Sequence, residues 1–117
     1  MTPAIFTSTQ GRVSIGERDI DYDFYIDASG KIVRRKWSKL HPGKHVLSLK
    51  DARELYDPVV NEFIIGSDKK ASLYISNEAT DFFEEKKCKI KLLPLDEAIN
   101  YWNRYEGYAI GLFHLAN

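Results

Sequence analysis

Tyr108-Ala109-Ile110-Gly111-Leu112-Phe113-His114-Leu115 decides the fold. It is apolar enough along its length to form a strand at the centre of a sheet rather than at its edge. Phe63-Ile64-Ile65, ending at Gly66, is a second continuous apolar run and reads as a strand buried on both faces. Between these runs the period changes. Leu95, Ala98, Ile99, Trp102 and Tyr105 follow helical spacing, with Asp96-Glu97 at the start, where the helix dipole favours negative charge, and Gly107 as a C′ residue. Ser76-Asn77-Glu78 caps a helix that buries Ala79, Phe82 and Phe83, and Ile90, Leu92 and Leu93 form a strand stopped by Pro94. Leu73-Tyr74-Ile75 is a further short strand or extended piece. Helical connections between strands imply parallel pairing.

The first half reads differently. Val13 and Ile15 alternate with polar residues, as do Tyr22, Phe24 and Ile26, which is the period of a strand. Ala28-Ser29-Gly30 turns the chain into Lys31-Ile32-Val33-Arg34-Arg35 as a hairpin. Trp37 to Val46 contains Pro42-Gly43 and reads as a loop. Ser48 then caps a short helix carrying Leu49, Ala52, Leu55 and Tyr56, which stops at Asp57-Pro58. The expected fold class is α/β. Residues 1–117 read as a single compact domain of three layers, with a central mixed sheet, helices packed on it and an N-terminal β-meander.

Composition narrows the function. The 117 residues carry 17 Lys+Arg and 17 Asp+Glu, so a globally basic nucleic-acid binder is not indicated. Cys88 is the one cysteine, which excludes an intramolecular disulfide and a cysteine zinc cluster and suits a reducing compartment. Met1-Thr2-Pro3-Ala4 lacks the features of a signal peptide, and no run approaches the length of a membrane span. A cytoplasmic location without membrane association is expected.

The order of these features resembles the Mth nine-three-eight domain over nearly the whole chain. The residues that carry the resemblance are Ile64-Ile65-Gly66-Ser67, Leu93-Pro94, Glu97-Ala98-Ile99, Trp102-Asn103 and the run Ala109 to Leu115. In the first half they are Asp23-Phe24-Tyr25-Ile26, Val33-Arg34-Arg35-Lys36 and His45. The resemblance implies a three-layer α/β fold. Small archaeal and bacterial members of that family have no established molecular activity. Its eukaryotic relatives look like an adipogenesis-associated protein and a mitochondrial complex I assembly factor, which implies binding or assembly work more than catalysis. Two departures stand out. The Gly-rich turn of the family is replaced by Gly66-Ser67-Asp68-Lys69-Lys70-Ala71, and the family's His-x-Thr-Cys ending reads His114-Leu115-Ala116-Asn117 here.

Candidate sites follow from charge. From Ala28 to Lys50 there are seven cations (Lys31, Arg34, Arg35, Lys36, Lys39, Lys44, Lys50) and no acid, with Trp37, His41 and His45 among them. Arginine forks hold phosphate and carboxylate, so this segment reads either as a solvated strand end and loop, partnered by acids elsewhere, or as a patch for an acidic protein partner or a small anion. Strand alternation sends Arg34 and Arg35 to opposite faces. Gly66 and Lys69, after a buried strand, could offer backbone N–H groups and a cation to an anion. Asn103 and His114 are weaker candidates, His114 as a base or as a hydrogen-bonded core residue. Pro42-Gly43 between His41 and His45 forbids helical ligand geometry, so neither a metal site nor a cofactor is expected. Cys88 among lysines reads as an incidental thiol. Asp19, Asp21 and Asp23 read as the solvated face of a strand.

Three functions are open. The first is a binding or assembly-type protein without catalysis, using Arg34, Arg35, Lys36 and His45. The second is an enzyme acting on a phosphorylated or carboxylated small molecule, with an arginine clamp and His45 or His114 moving protons. The third is a nucleic-acid module, which the zero net charge argues against.

Overall fold

Period-two segments flanking helical ones build three sheets among the described residues. A computed structural model describes residues 4–7, 12–37, 45–67 and 73–115. Strands β1 (Phe6–Thr7), β2 (Val13–Ile15) and β3 (Arg18–Ile20) form a small antiparallel sheet. Strands β4 (Phe24–Ile26) and β5 (Ile32–Arg34) form the expected hairpin. Asp27 Oδ1 accepts from the N–H groups of Ser29 and Lys31 at 2.9 and 3.0 Å and so closes its turn. Gly30, at φ 91°, supplies the positive dihedral that the turn requires.

After β6 (His45–Leu47) comes helix α1 (Leu49–Leu55), whose N-cap Ser48 and Asp51 bond reciprocally as a capping box. Strands β7 (Glu62–Ser67) and β8 (Leu73–Ile75) lead to helix α2 (Asn77–Glu85), capped by Ser76. Strand β9 (Lys89–Pro94), helix α3 (Leu95–Arg104) and strand β10 (Ala109–His114) complete the described chain.

The main sheet runs β5-β4-β10-β7-β9. Strand β10 pairs antiparallel with β4 and parallel with β7, which pairs parallel with β9. The two apolar runs therefore lie at and beside its centre, and all of β10 is buried. Alternation along these strands feeds two cores. Phe24, Ile26, Ile64 and Phe113 pack beneath α3 and the small sheet, with Ala98, Ile99 and Trp102. Phe63, Ile65, Ile110 and Leu112 pack on the opposite face with Leu47, Ala52, Leu55, Ala79 and Phe83. The result is the expected three-layer arrangement around a mixed sheet.

Three details differ from the sequence reading. Strands β1 and β3 were not foreseen, and with β2 they leave the main sheet to pack as a unit on one of its faces. His45–Leu47 is a strand rather than loop, because it pairs in parallel with β8 and buries Leu47. Gly107 falls two residues beyond the helix cap Tyr105. Among the described residues no helix is long and apolar enough to cross a membrane.

Candidate functional site

The register of β4 against β10 sets Phe24 opposite Phe113 and so brings Asp23, just before β4, beside His114 at the end of β10. His114 Nδ1 and Asp23 Oδ2 are 2.5 Å apart. The same carboxylate accepts the Leu115 N–H on Oδ1 at 2.7 Å and the Trp37 Nε1–H on Oδ2 at 2.6 Å. Burial by itself would raise the Asp23 pKa. The hydrogen bonds from His114, Leu115 and Trp37 outweigh it and leave the carboxyl below its ordinary value. An ionised Asp23 only accepts, so His114 Nδ1 is the donor of this pair and Nε2 is the ring nitrogen left clear of the carboxylate. The side chains of His114 and Asp23 are 6% and 9% exposed.

His45, first residue of β6, places its ring 4.4 Å from that of His114, centroid to centroid. Trp37 closes the group, its ring 4.9 Å from His45 and 5.9 Å from His114. His45 Nδ1 is buried and, among the described residues, has no hydrogen-bond partner. Burial first, and the neighbouring His114 second, hold the His45 pKa below its usual value, with Asp23 pulling the other way.

Arg35 lies on the outer side of the tryptophan, its guanidinium carbon 4.5 Å from the indole centre. It holds Asp51 through two nitrogens, both at 2.9 Å. Asp51 is also the capping residue of α1, so one carboxylate ties the end of β5 to the start of that helix.

The structure thus brings together Arg35, His45 and His114 of the residues singled out by sequence. Arg34 and Lys36 are exposed instead, with Arg34 lying 4.9 Å over the Tyr22 ring. Gly66 is buried under α3, where an added Cβ would lie 2.8 Å from Ala98 Cβ. Asn103 is on that same face, gripping the backbone of Ile5 through its carbonyl (2.8 Å) and its amide (2.6 Å). Lys69 and His41 lie outside the described residues. Cys88 is buried, and burial together with Glu62 pushes its thiol up to about 11, the reverse of what its lysine neighbours suggest.

Asp23 is the residue that sequence reasoning missed. It sits in a run of alternating acids that reads as solvated, and its partners His114 and Leu115 come from the far end of the chain. No local pattern carries that signal; only the pairing of β4 with β10 does.

No family model matches the sequence, and no curated protein matches it. Solved structures do. Conserved hypothetical protein PH1505 from Pyrococcus horikoshii superposes with a TM-score of 0.79 at 21% identity, over 97% of this chain and 98% of its own. The protein MT938 gives 0.75 at 19% identity, over 99% and 100%. A Bordetella parapertussis protein gives 0.75 at 6% identity, over 98% and 97%. At these identities the likeness is one of fold, and the class is that of small α/β proteins built on this mixed sheet. MT938 among the neighbours bears out, at the level of fold, the resemblance to the Mth nine-three-eight domain.

Proposed function

We propose that this chain is a non-catalytic binding domain that takes an acidic segment of a protein partner along the edge strand β5. The observation that carries this is the end position of β5 among the described strands of the main sheet, together with exposed Lys31, Arg34 and Lys36 around it. Lys31 O and Arg35 N bond to Asp27 and Asp23 on the inner side. Alternation then leaves the backbone groups of Ile32 and Arg34 facing outward. An extended peptide added there gains main-chain hydrogen bonds, and acids at alternate positions meet Arg34 and Lys36, which share one face. The assembly work implied by the family resemblance fits this reading.

The test is titration of a fluorescent acidic peptide at low and high salt, with amide exchange read on β5. Binding that protects Ile32 and Arg34, weakens with salt, and drops at least tenfold in Arg34→Glu/Lys36→Glu is the expected result. Binding unchanged in that double variant sinks the proposal. Displacement by a small anion without amide protection points to the small-anion reading instead.

The enzyme reading gains one observation: Arg35, His45 and His114 lie on the same side of the sheet, and Asp23 orients His114 as it would a general base. Its anion clamp, however, is already engaged by Asp51, which ranks it second.

A further inference from the structure

Independently of any partner at β5, we infer that His45 and His114, backed by Asp23, form a binding site for an imidazole-preferring divalent metal ion such as Zn²⁺. One ligand atom from each of the three residues falls within 4.8 Å of the others. Ligands bonded at 2.0–2.1 Å to one tetrahedral ion stand about 3.4 Å apart, so closure asks for a shift on the order of an ångström. The three residues come from three separate places: the loop before β4, the first position of β6 and the last of β10. Two imidazole nitrogens, one of them backed by a carboxylate, suit zinc, nickel, cobalt or copper, and are poor in the oxygen ligands that magnesium and calcium require.

The internal bonding of the cluster fits that use. Asp23 is held by the Leu115 N–H and the Trp37 indole, and accepts from His114 Nδ1. A carboxylate on the far nitrogen of a metal-binding imidazole fixes ring and tautomer and raises its basicity. His114 Nε2 is thereby the nitrogen offered to the ion. His45, its ring beside that of His114, has a buried Nδ1 without a partner among the described residues. A buried polar atom left unpaired is costly, and a metal bond on that nitrogen removes the cost. Charge points the same way. Asp51 neutralises Arg35, the cation against Trp37, and Asp23 contributes a negative charge beside two imidazoles. An anion would meet that carboxylate; a cation is attracted by it.

The sequence argument against a histidine metal site rested on the spacing of His41 and His45. The pairing of His45 with His114 depends on the fold.

The experiment uses the full chain, stripped with chelator and titrated with Zn²⁺ by calorimetry, while long-range proton–nitrogen correlations follow the histidine rings. Expected are one ion per chain, shifts at the ring nitrogens of both His45 and His114, and no response to Mg²⁺ at the same concentration. His45→Gln, at a half-buried position, is expected to keep the melting transition and lose at least tenfold in affinity. Asp23→Asn is expected to lose about 10- to 100-fold, as outer partners of metal-bound histidines do. If His114→Gln fails to fold, His45→Gln still decides the matter. Absence of saturable binding overturns the proposal. So does binding whose stoichiometry and affinity are unchanged in His45→Gln, since the ion would then sit elsewhere.

Discussion

Tyr101 shows what a single hydroxyl does in this molecule. It donates to Glu62 Oε2 at 2.6 Å, and Glu62, first residue of β7, is only 5% exposed. That hydrogen bond, then burial, then the charge of Glu62 push the phenol up to about 12. An unfolded tyrosine ionises near 10. Between those values the folded chain holds the proton more tightly, so the contribution is fully present below about pH 10 and is lost as pH rises through about 12. An absorbance titration of the seven tyrosines should therefore contain a component near 12 that Tyr101→Phe removes. That variant should also be less stable at neutral pH by about 1.5–3 kcal/mol, since a buried carboxylate loses its donor. Superimposable titration curves would show that the bond does not form. At this scale the sequence was half legible. Arg35, His45 and His114 stood out one by one as basic or imidazole groups in informative places. Asp23 did not, because the donors that make it special arrive only when β10 lies against β4.

The elements themselves were more legible, and the reason is chemical. Ser48 and Ser76 announce α1 and α2, and both accept the N–H three residues on. The apolar runs announce β7 and β10. Strands β1, β3 and β6 are two or three residues long, and their extended form is supplied by pairing partners rather than by their own period. What the elements require of each other shows best where α3 lies on the sheet. Gly111 of β10 faces Trp102, and a Cβ there would come within 2.8 Å of the indole ring and of Phe113. A Cβ on Gly66 of β7 would meet Ala98 Cβ at the same distance. Gly66→Ala and Gly111→Ala should each destabilise by about 1–3 kcal/mol in urea unfolding, the usual cost of overpacking. A loss below about 0.5 kcal/mol in either would mean that α3 has room to lift. Gly66, a candidate for ligand binding by its place after a strand, thus has a packing function that sequence position alone does not display.

At the scale of the molecule the main sheet is shared by two cores, and that sharing determines how the fold can come apart. Ile64 and Ile65 are adjacent in β7, yet Ile64 packs with Trp102 and Phe113 while Ile65 packs with Phe63 and Phe83. Neither core can melt without stripping one face of β7 and β10. The two tryptophans report on opposite sides. Trp102, on the sheet-facing side of α3, is fully buried, whereas Trp37 packs at the margin of the second core, beside the histidine pair. Trp37→Phe leaves Trp102 as sole emitter, and Trp102→Phe leaves Trp37. Within each variant, denaturation followed by the remaining tryptophan should coincide with denaturation followed by circular dichroism, in midpoint and slope, as a two-state domain requires. Both variants need the comparison, because Trp102→Phe also removes core volume and lowers the midpoint itself. Emission from Trp37 that changes ahead of the dichroism would place the β6–β8 side and the histidine cluster in a separately opening unit. The site would then be a mobile margin on a rigid sheet; coincident curves would make it as stable as the core that carries it.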